Sequence, residues 1–492
     1  MKDTLRTMYA FALTMAIMLC GFQWANADPI EISDWHDLND VRDDLQAEYV
    51  LVNDLDEDTD GYSDYNDDGW EPIGDTDERF MGSFDGQEHT IYGLTIDAEA
   101  TWAGLFGRTL NATINNLSIM DADVTSHDVG GIGVLAGELE ASDVENVTVS
   151  GTLTAFGTDN TIFGGLAGRQ SAGHVSNVAS YVEITYEGRF IGGIYGQMTA
   201  QAELEKAVFK GNITTDNPHI DNRWIGGIVG QFGGGSMVTD AYAMADIKGT
   251  RIVGGIVGYH WRGGATVTNS YFVGAVEGDQ ETVDAHNEDV DEEDELDLSV
   301  GGVVGHKDPP QDPESEDDIS GLVNTFWDTE VTGLDNIYGT GEYHEDADLT
   351  AEGKTTSEMT DQNTYAEWDF DNVWEIDDVR NSGYPYFQSE ELALDTEEEL
   401  ISDRPSEVEL KQNYPNPFNP STNIEFTIPN TVEVQLDVYN VAGQRVATLV
   451  DEHMSAGTHT VTFDASDLPS GVYIYRLTAG DHVESNNMTF IK

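Results

Sequence analysis

The sequence predicts an all-β chain: a parallel β-helix of about seven coils with short helical caps, followed by a smaller β-sandwich. Three observations predict it. A glycine-rich five-residue core recurs at near-constant spacing, a second element opening on an apolar residue follows each copy, and Gly, aromatic and β-branched residues have the balance of a strand-and-turn protein. The 492 residues suffice for two to three domains of ordinary size. With 93 Asp+Glu against 21 Lys+Arg, the net charge of −72 excludes nucleic acid and anionic membrane as partners.

The chain opens with a secretory pattern. Lys2 and Arg6 form a positive start, Tyr9 to Leu19 is an apolar run broken by Thr14, and Ala25-Asn26-Ala27 offers a cleavage site before Asp28. The run is shorter than the ~20 residues of a membrane span. Residues 1–27 therefore read as a signal peptide. Its removal takes away Cys20, the single cysteine, and with it any disulfide or thiol chemistry.

The repeat decides the fold. The core appears as AGLFG (103–107), GVLAG (133–137), GGLAG (164–168), GGIYG (192–196), GGIVG (226–230), GGIVG (254–258) and GGVVG (301–305). Consecutive starts lie 28–34 residues apart, except for a last interval of 47 that carries an acidic excursion at 279–297. The second element runs INNL (114–117), VENV (144–147), VSNV (175–178), LEKA (204–207), VTDA (238–241), VTNS (267–270) and LVNT (322–325). Such a period is too short for propeller blades and suits one coil of a β-solenoid, with coils ~4.8 Å apart. Recurrent Gly then marks a bend or a close backbone approach, and recurrent Asn at the third position of the second element tolerates left-handed geometry and passes amide bonds between coils. Apolar positions before and after the Gly pair differ in parity, so a bulge is expected between them. Ser33 is expected to cap a helix with Trp35, Leu38, Val41 and Leu45 on one face, and Thr355 with Glu358 to start a second near the other end.

These units resemble the GLUG motif, a short glycine-rich repeat of exported bacterial proteins that include some peptidases and large surface adhesins. ISDWHDLNDVRDDL (32–45), WEPIG (70–74), FMGSFDGQEHTIYGLTI (80–96), FWDTEVTG (326–333) and WDFDNVWEI (368–376) extend the resemblance over residues 30 to 387. The first unit departs from it, with Ala103 in place of Gly, and Lys206 departs in the Asn series. The expected organisation is an N-terminal cap and lead-in over 28–100, the repeats over 101–335, a C-terminal cap over 336–388 and an acidic linker over 389–409.

Residues 410–492 differ in kind: they hold 9 acids and 4 bases, and alternating strands with turn signals indicate an immunoglobulin-like β-sandwich. NYPNPFNP (413–420), the Tyr-Asn-x-x-Gly turn at Tyr439 to Gly443 and SGVYIYRL (470–477) closely resemble the type A sorting domain of the type IX secretion system. The resemblance implies recognition by an outer-membrane translocon and its sortase in Bacteroidetes-like bacteria, and a secreted or surface-held product.

Candidate sites are few. Asp56, Asp58 and Asp60, then Asp64, Asn66 and Asp68, repeat the D-x-[DN]-x-[DN]-G pattern, whose alternate oxygen ligands and sixth-position Gly suit a structural calcium ion. Neither copy has the Glu expected at position twelve. Arg189, Arg223 and Arg251 each lie three residues before a Gly pair, a like-charge ladder that needs partners. One position after the core holds Arg108, Glu138, Arg169, Gln197, Gln231, Tyr259 and His306. With Trp224 and Trp261 nearby, Gln197, Gln231, Tyr259 and the three arginines form a candidate glycan or matrix surface; the bland alternative is that these cations pair with surrounding acids. The HExxH helix is absent, since no second His follows His344-Glu345, and so is G-x-S-x-G. A non-catalytic adhesion or matrix role is expected. The alternative is a calcium-dependent polysaccharide lyase or a glycoside hydrolase on a β-helix.

Overall fold

The computed structural model describes residues 28–389 and 409–492, apart from 67–68, 99–100, 127–129, 157–160, 216–222, 262, 288–295, 310–319, 342–346, 378, 414, 429–431, 441–443, 455–456, 466–467 and 480–481. The expected signal peptide, most of the expected linker, Asp68, most of the acidic part of the insert and the last three residues of the Tyr439–Gly443 turn lie outside the described residues.

Every coil stacks its apolar residues on those of the next. Among the described residues the solenoid has three parallel sheets and about eight turns. The widest begins at Ile30–Ile32, passes through Glu48–Leu51 and Ser83–Asp85, and continues through Thr113–Ser126, Asp143–Phe156 and His174–Glu187 into the later coils. Its register sets like on like: Ile114, Val144, Val175, Leu204, Val238, Val267 and Leu322 form one buried column. A second sheet runs from Phe106–Leu110 to Tyr338–Gly341, and a third from Trp102–Ala103 to Ser299–Gly301.

The Gly pair is the corner between the second and third sheets. A Cβ at Gly193 would lie 2.2 Å from the carbonyl oxygen of Gly227, one at Gly227 2.2 Å from that of Gly255, and one at Gly255 2.3 Å from that of Gly302. No side chain fits there. The parity change expected to be a bulge is this corner: the flanking apolar residues belong to different sheets and each follows its own alternation. Ala103 is not a substituted glycine of the pair. It pairs with Ile132, while Phe106 pairs with Ala136, so the first coil is one residue shorter across the corner.

The Asn series forms as expected. Asn116, Asn146, Asn177, Lys206, Asp240, Asn269 and Asn324 all have φ between 48° and 56°. Asn146 Nδ2 donates to Asn116 Oδ1 (2.9 Å), Asn177 to Asn146 (2.6 Å), Asn269 to Asp240 (3.2 Å) and Asn324 to Asn269 (3.3 Å). Asn116 donates to Asp85 (3.0 Å), one coil before the recognised units. The insert leaves the register intact: Asn287 and Leu296 exchange two 2.8 Å hydrogen bonds, closing the excursion before Ser299 pairs with Ile252.

At the N-terminal end a helix spans Trp35–Asp40, with Trp35, Leu38 and Val41 fully buried. Its cap is Asp34, which accepts from Asp37 N, and Ser33 instead donates to the Asp37 carboxylate. Near the other end Thr355 and Glu358 make a reciprocal capping box. That C-terminal segment lies along the flank of the widest sheet: Trp374 Nε1 donates to Asp240 (3.1 Å), Trp368 Nε1 to Asn324 O (3.1 Å), and Tyr271 Oη to Pro385 O (2.6 Å).

The strands of the C-terminal unit pair antiparallel, and one isolated parallel bridge joins Phe418 to Phe490. Glu409–Leu410, Ser421–Ile428 and Gly457–Asp464 form one sheet; Arg445–Met454, Val432–Asn440, Gly471–Ala479 and His482–Phe490 form the other. Phe426, Leu436, Val438, Tyr475, Leu477 and Met488 are buried between them. Asn413 anchors the proline-rich entry, donating through Nδ2 to Pro415 O and Thr422 Oγ1 while its backbone N–H donates to Tyr475 Oη.

The amide series makes a measurable demand. Asn146→Ala removes two amide bonds and leaves on a left-handed backbone a residue without the short polar side chain that makes Asn tolerant of it, so denaturant unfolding should report a loss of about 3 kcal/mol. Asn146→Gly, free of that strain, should lose roughly 1 kcal/mol less. Equal losses would show that hydrogen bonding alone fixes the residue.

Candidate functional site

Strand alternation turns two neighbouring columns outward, because the residues beside them fill the core. On the third sheet, Ile132, Phe163, Ile191, Ile225 and Val253 are buried, and the outer column is Trp102, Gly131, Ile162, Phe190, Trp224, Ile252 and Ser299. On the second sheet the outer column is Arg108, Glu138, Arg169, Gln197, Gln231, Tyr259, His306 and Thr340, each paired with the next.

The second column changes chemistry along its length. At its start Glu138, 1% exposed, is held by two arginines: Arg108 donates to one carboxylate oxygen and Arg169 to the other. Both guanidinium groups lie over the Trp102 ring, at 5.0 and 4.9 Å. In the middle the Gln197 amide donates to Gln231. At the far end Trp224 and Tyr259 stack at 3.9 Å and 12°, and Tyr259 and His306 at 5.4 Å and 4°. His306 Nδ1 and Thr340 Oγ1 are 2.6 Å apart, and the Thr340 hydroxyl is 2.6 Å from that of Ser299.

A depression of about 390 Å³ opens at this far end, lined by Trp224, Arg251, Ile252, Tyr259, Asp297, His306 and Thr340. Arg251 Nε donates to Asp297 O at 3.1 Å. Burial lowers the affinity of Arg251 for its proton, and the Asp297 charge opposes that. Burial likewise holds His306 below the usual imidazole range, with Asp308 opposing and Arg251 and Lys307 adding. A neutral imidazole, a guanidinium, a carboxylate and a hydroxyl thus converge beside the buried Trp224 ring and the half-buried Tyr259 ring. Such a set hydrogen-bonds a polyol as donor and acceptor.

Gln197, Gln231 and Tyr259 therefore share one column, as their spacing indicates. The three arginines occupy consecutive coils, with Trp224 N donating to Arg189 O (2.7 Å) and Ser299 N to Arg251 O (2.9 Å), but they do not act alike. Arg251 lines the depression. Arg189 lies over Trp224 (4.8 Å) and Phe190 (5.1 Å). Arg223 is 7% exposed, its Nη1 has no hydrogen-bond partner, and its charge acts on the Tyr186 hydroxyl, which burial pushes up. Pairing with acids accounts for Arg108 and Arg169 but not for Arg189 or Arg223, which make no ion pair among the described residues. Trp261 is 42% exposed and stands outside the depression's lining. Sequence reasoning missed Asp297, Ser299 and Thr340. Thr340 extends the column by one rung past the last five-residue core, where the periodic signal has ended.

The Asp-rich loop is arranged differently from a single cradle. Asp56 Oδ1 accepts from Asp58 N (3.1 Å) and Thr59 Oγ1 (2.8 Å), and Asp60 O accepts from Trp35 N (3.1 Å). Tyr62–Asn66 is a helix, so Asp64 and Asn66 diverge; Asp64 faces His36 at 3.8 Å, and Asn66 binds Thr95 N and Tyr62 O. Asp56, Glu57, Asp58 and Asp121 line a depression of about 420 Å³ with Tyr62 and Tyr92. Among the described residues no three acidic, His or Cys side chains are gathered as a metal site.

Residues 412–491 match the family model described as the secretion system C-terminal sorting domain. This indicates export across the outer membrane by the type IX machinery, to the cell surface or the medium. Two curated relatives share parts of the chain. Halomucin of Haloquadratum walsbyi is 32% identical over 205 residues, 34% of this chain and 2% of that protein. A provisionally named Gly-rich membrane protein of Evansella cellulosilytica is 32% identical over 139 residues, 27% of this chain and 16% of that one. The chain thus spans a small part of either. Among solved structures, a Bacteroides ovatus protein provisionally named as an immunoglobulin A1 protease aligns with TM-score 0.43 and 19% identity, over 74% of this chain and 94% of its own. A protein named IgA1 protease aligns with TM-score 0.36 and 16% identity, over 66% and 21%.

Glu138 offers a direct test of the column. Glu138→Ala would leave two stacked guanidinium groups around an empty carboxylate site and should cost about 3–5 kcal/mol in denaturant unfolding. A loss below about 1 kcal/mol would mean that the arginines repartner freely.

Proposed function

We propose that this is an exported, non-catalytic binding protein, a surface or matrix component of the GLUG-like kind, whose solenoid holds glycan in the depression between Trp224 and Thr340. The observation that carries the reading is the convergence there of Arg251, Asp297, His306 and Thr340 beside the edges of Trp224 and Tyr259, in a volume of about 390 Å³. Planar polar groups fixed by stacking and hydrogen bonding suit sugar hydroxyls, since little side-chain freedom is lost on binding. The sorting domain supplies the outside location such a role needs. The protease names of the fold neighbours carry no argument at their level of likeness.

A glycan array with the full chain tests the reading, and Thr340→Val and Asp297→Asn should each weaken the best ligand roughly tenfold, the worth of one or two polar contacts. Absence of any glycan ligand would sink it. Depolymerisation of the bound glycan would replace it with a lyase or hydrolase.

We also propose calcium at the Asp56–Asp60 loop, where it would neutralise carboxylates facing one depression. The ion would have to draw Asp56, Asp58 and Asp60 together, because Asn66 is committed to Thr95 and Tyr62. Calcium at ~100 times its dissociation constant should then stabilise the chain by roughly 2.7 kcal/mol relative to chelator, and Asp58→Ala should abolish that gain. An equal gain in the variant would place the ion elsewhere.

A further inference from the structure

We propose that the surface around Arg189 takes an acidic sugar, with the Arg189 guanidinium receiving its carboxylate or sulfate ester; this rests on the glycan-binding reading and names the ligand's charge. Arg189 is stacked, its Cζ 4.8 Å from the centre of the Trp224 ring and 5.1 Å from that of Phe190. A guanidinium held over an aromatic face keeps its N–H donors in one plane; here Nε is buried, which leaves the terminal Nη groups as the fork that matches a carboxylate or sulfate. Among the described residues nothing accepts from this fork. Among those residues Arg189 makes no ion pair, and its buried Nε has no hydrogen-bond partner.

The protein holds its own precedent for what such a fork binds. Trp102 stands in the same outer column as Trp224, stacks two arginines in the same way, and there the carboxylate of Glu138 accepts from both. In the coils around Arg189 the position of Glu138 is filled by Gln197 and Gln231, which are neutral and bond to each other. Among the described residues the arginine over the ring is present and a carboxylate facing it is not. A carboxylate or sulfate brought by a ligand completes the arrangement, and its sugar ring then extends over the Trp224 edge toward the depression lined by Arg251, Tyr259 and His306. Asp297 is the acid of that depression and accepts from Arg251 through its backbone, so Arg189 stands as the anion's receptor.

The test is calorimetric titration of the full chain with trigalacturonate, with a sulfated neutral trisaccharide and with its unsulfated parent. It is run in 1 M salt, where a Debye length of ~3 Å screens repulsion by the net charge of −72. One or both acidic probes should bind at least about tenfold tighter than the neutral one, and the comparison shows which anion is preferred. Arg189→Gln should remove that difference, and Arg189→Lys, which keeps charge but not the fork, should restore only part of it. Equal affinity for acidic and neutral probes, or an unaltered preference in Arg189→Gln with unchanged melting, overturns the acidic assignment and leaves glycan binding standing. Binding of none of the three overturns both.

Discussion

The solenoid depends on one close approach. At four successive corners the second glycine of the pair meets the carbonyl of the coil beyond it, at a distance no Cβ could occupy, as Gly165, Gly193, Gly227 and Gly255 show. Because the approach recurs once per coil, it fixes where each coil turns, and therefore which residue of each strand meets which on the next. Columns follow. The buried column from Ile114 to Leu322 and the amide series from Asn116 to Asn324 are both consequences of that register. So are the outer columns. A side chain in this fold has its chemical neighbours set by residues about thirty positions away, and a single polar substitution acts on two coils at once.

That coupling explains how a chain of net charge −72 tolerates stacking. Like charges one coil apart would sit ~4.8 Å from each other. The structure avoids this by using neutral amides in the series that runs the length of the widest sheet, and by enclosing Glu138 between two arginines. Where an acid does enter the amide series, at Asp240, burial raises its proton affinity, and bonds from Trp374 and Asn269, with Lys206 on the preceding coil, work against that rise. Lys206 thereby gains a reason: it breaks the amide run at the coil just before the one acid in it.

Much of this was legible. The five-residue cores name the coils, the third position of the second element names a left-handed residue in each of seven coils from Asn116 to Asn324, and counting from the glycines places Gln197, Gln231 and Tyr259 in one column. What failed shares a physical cause, in that counting gives position along the chain and not direction in space. Ser33 and Asp34 compete for one helix start, and only the bond from Asp37 decides for Asp34. Ala103 counts as a glycine position, yet the shorter first coil sets it beside Ile132 in the core. Arg189, Arg223 and Arg251 have identical spacing, but one stacks on Trp224, one is buried with its charge acting on Tyr186, and one opens onto a depression. Asp64 and Asn66 alternate as calcium ligands would in a loop, and a helical turn separates them.

The outer columns also show why a repetitive scaffold need not have a repetitive surface. The core must keep an apolar residue at the same place in each coil, because the register buries that place every time. The outward position after each core has no such constraint, and it passes from an ion-paired cluster at Glu138, through paired amides at Gln197 and Gln231, to stacked rings at Trp224, Tyr259 and His306. The first of these satisfies itself: Glu138 takes both arginines and Trp102 covers them. The last ends in three stacked rings beside Arg251, Asp297 and Thr340, which line one depression. The proposed glycan site therefore falls where the outer columns pass from ion pairs and paired amides to rings and mixed polar groups.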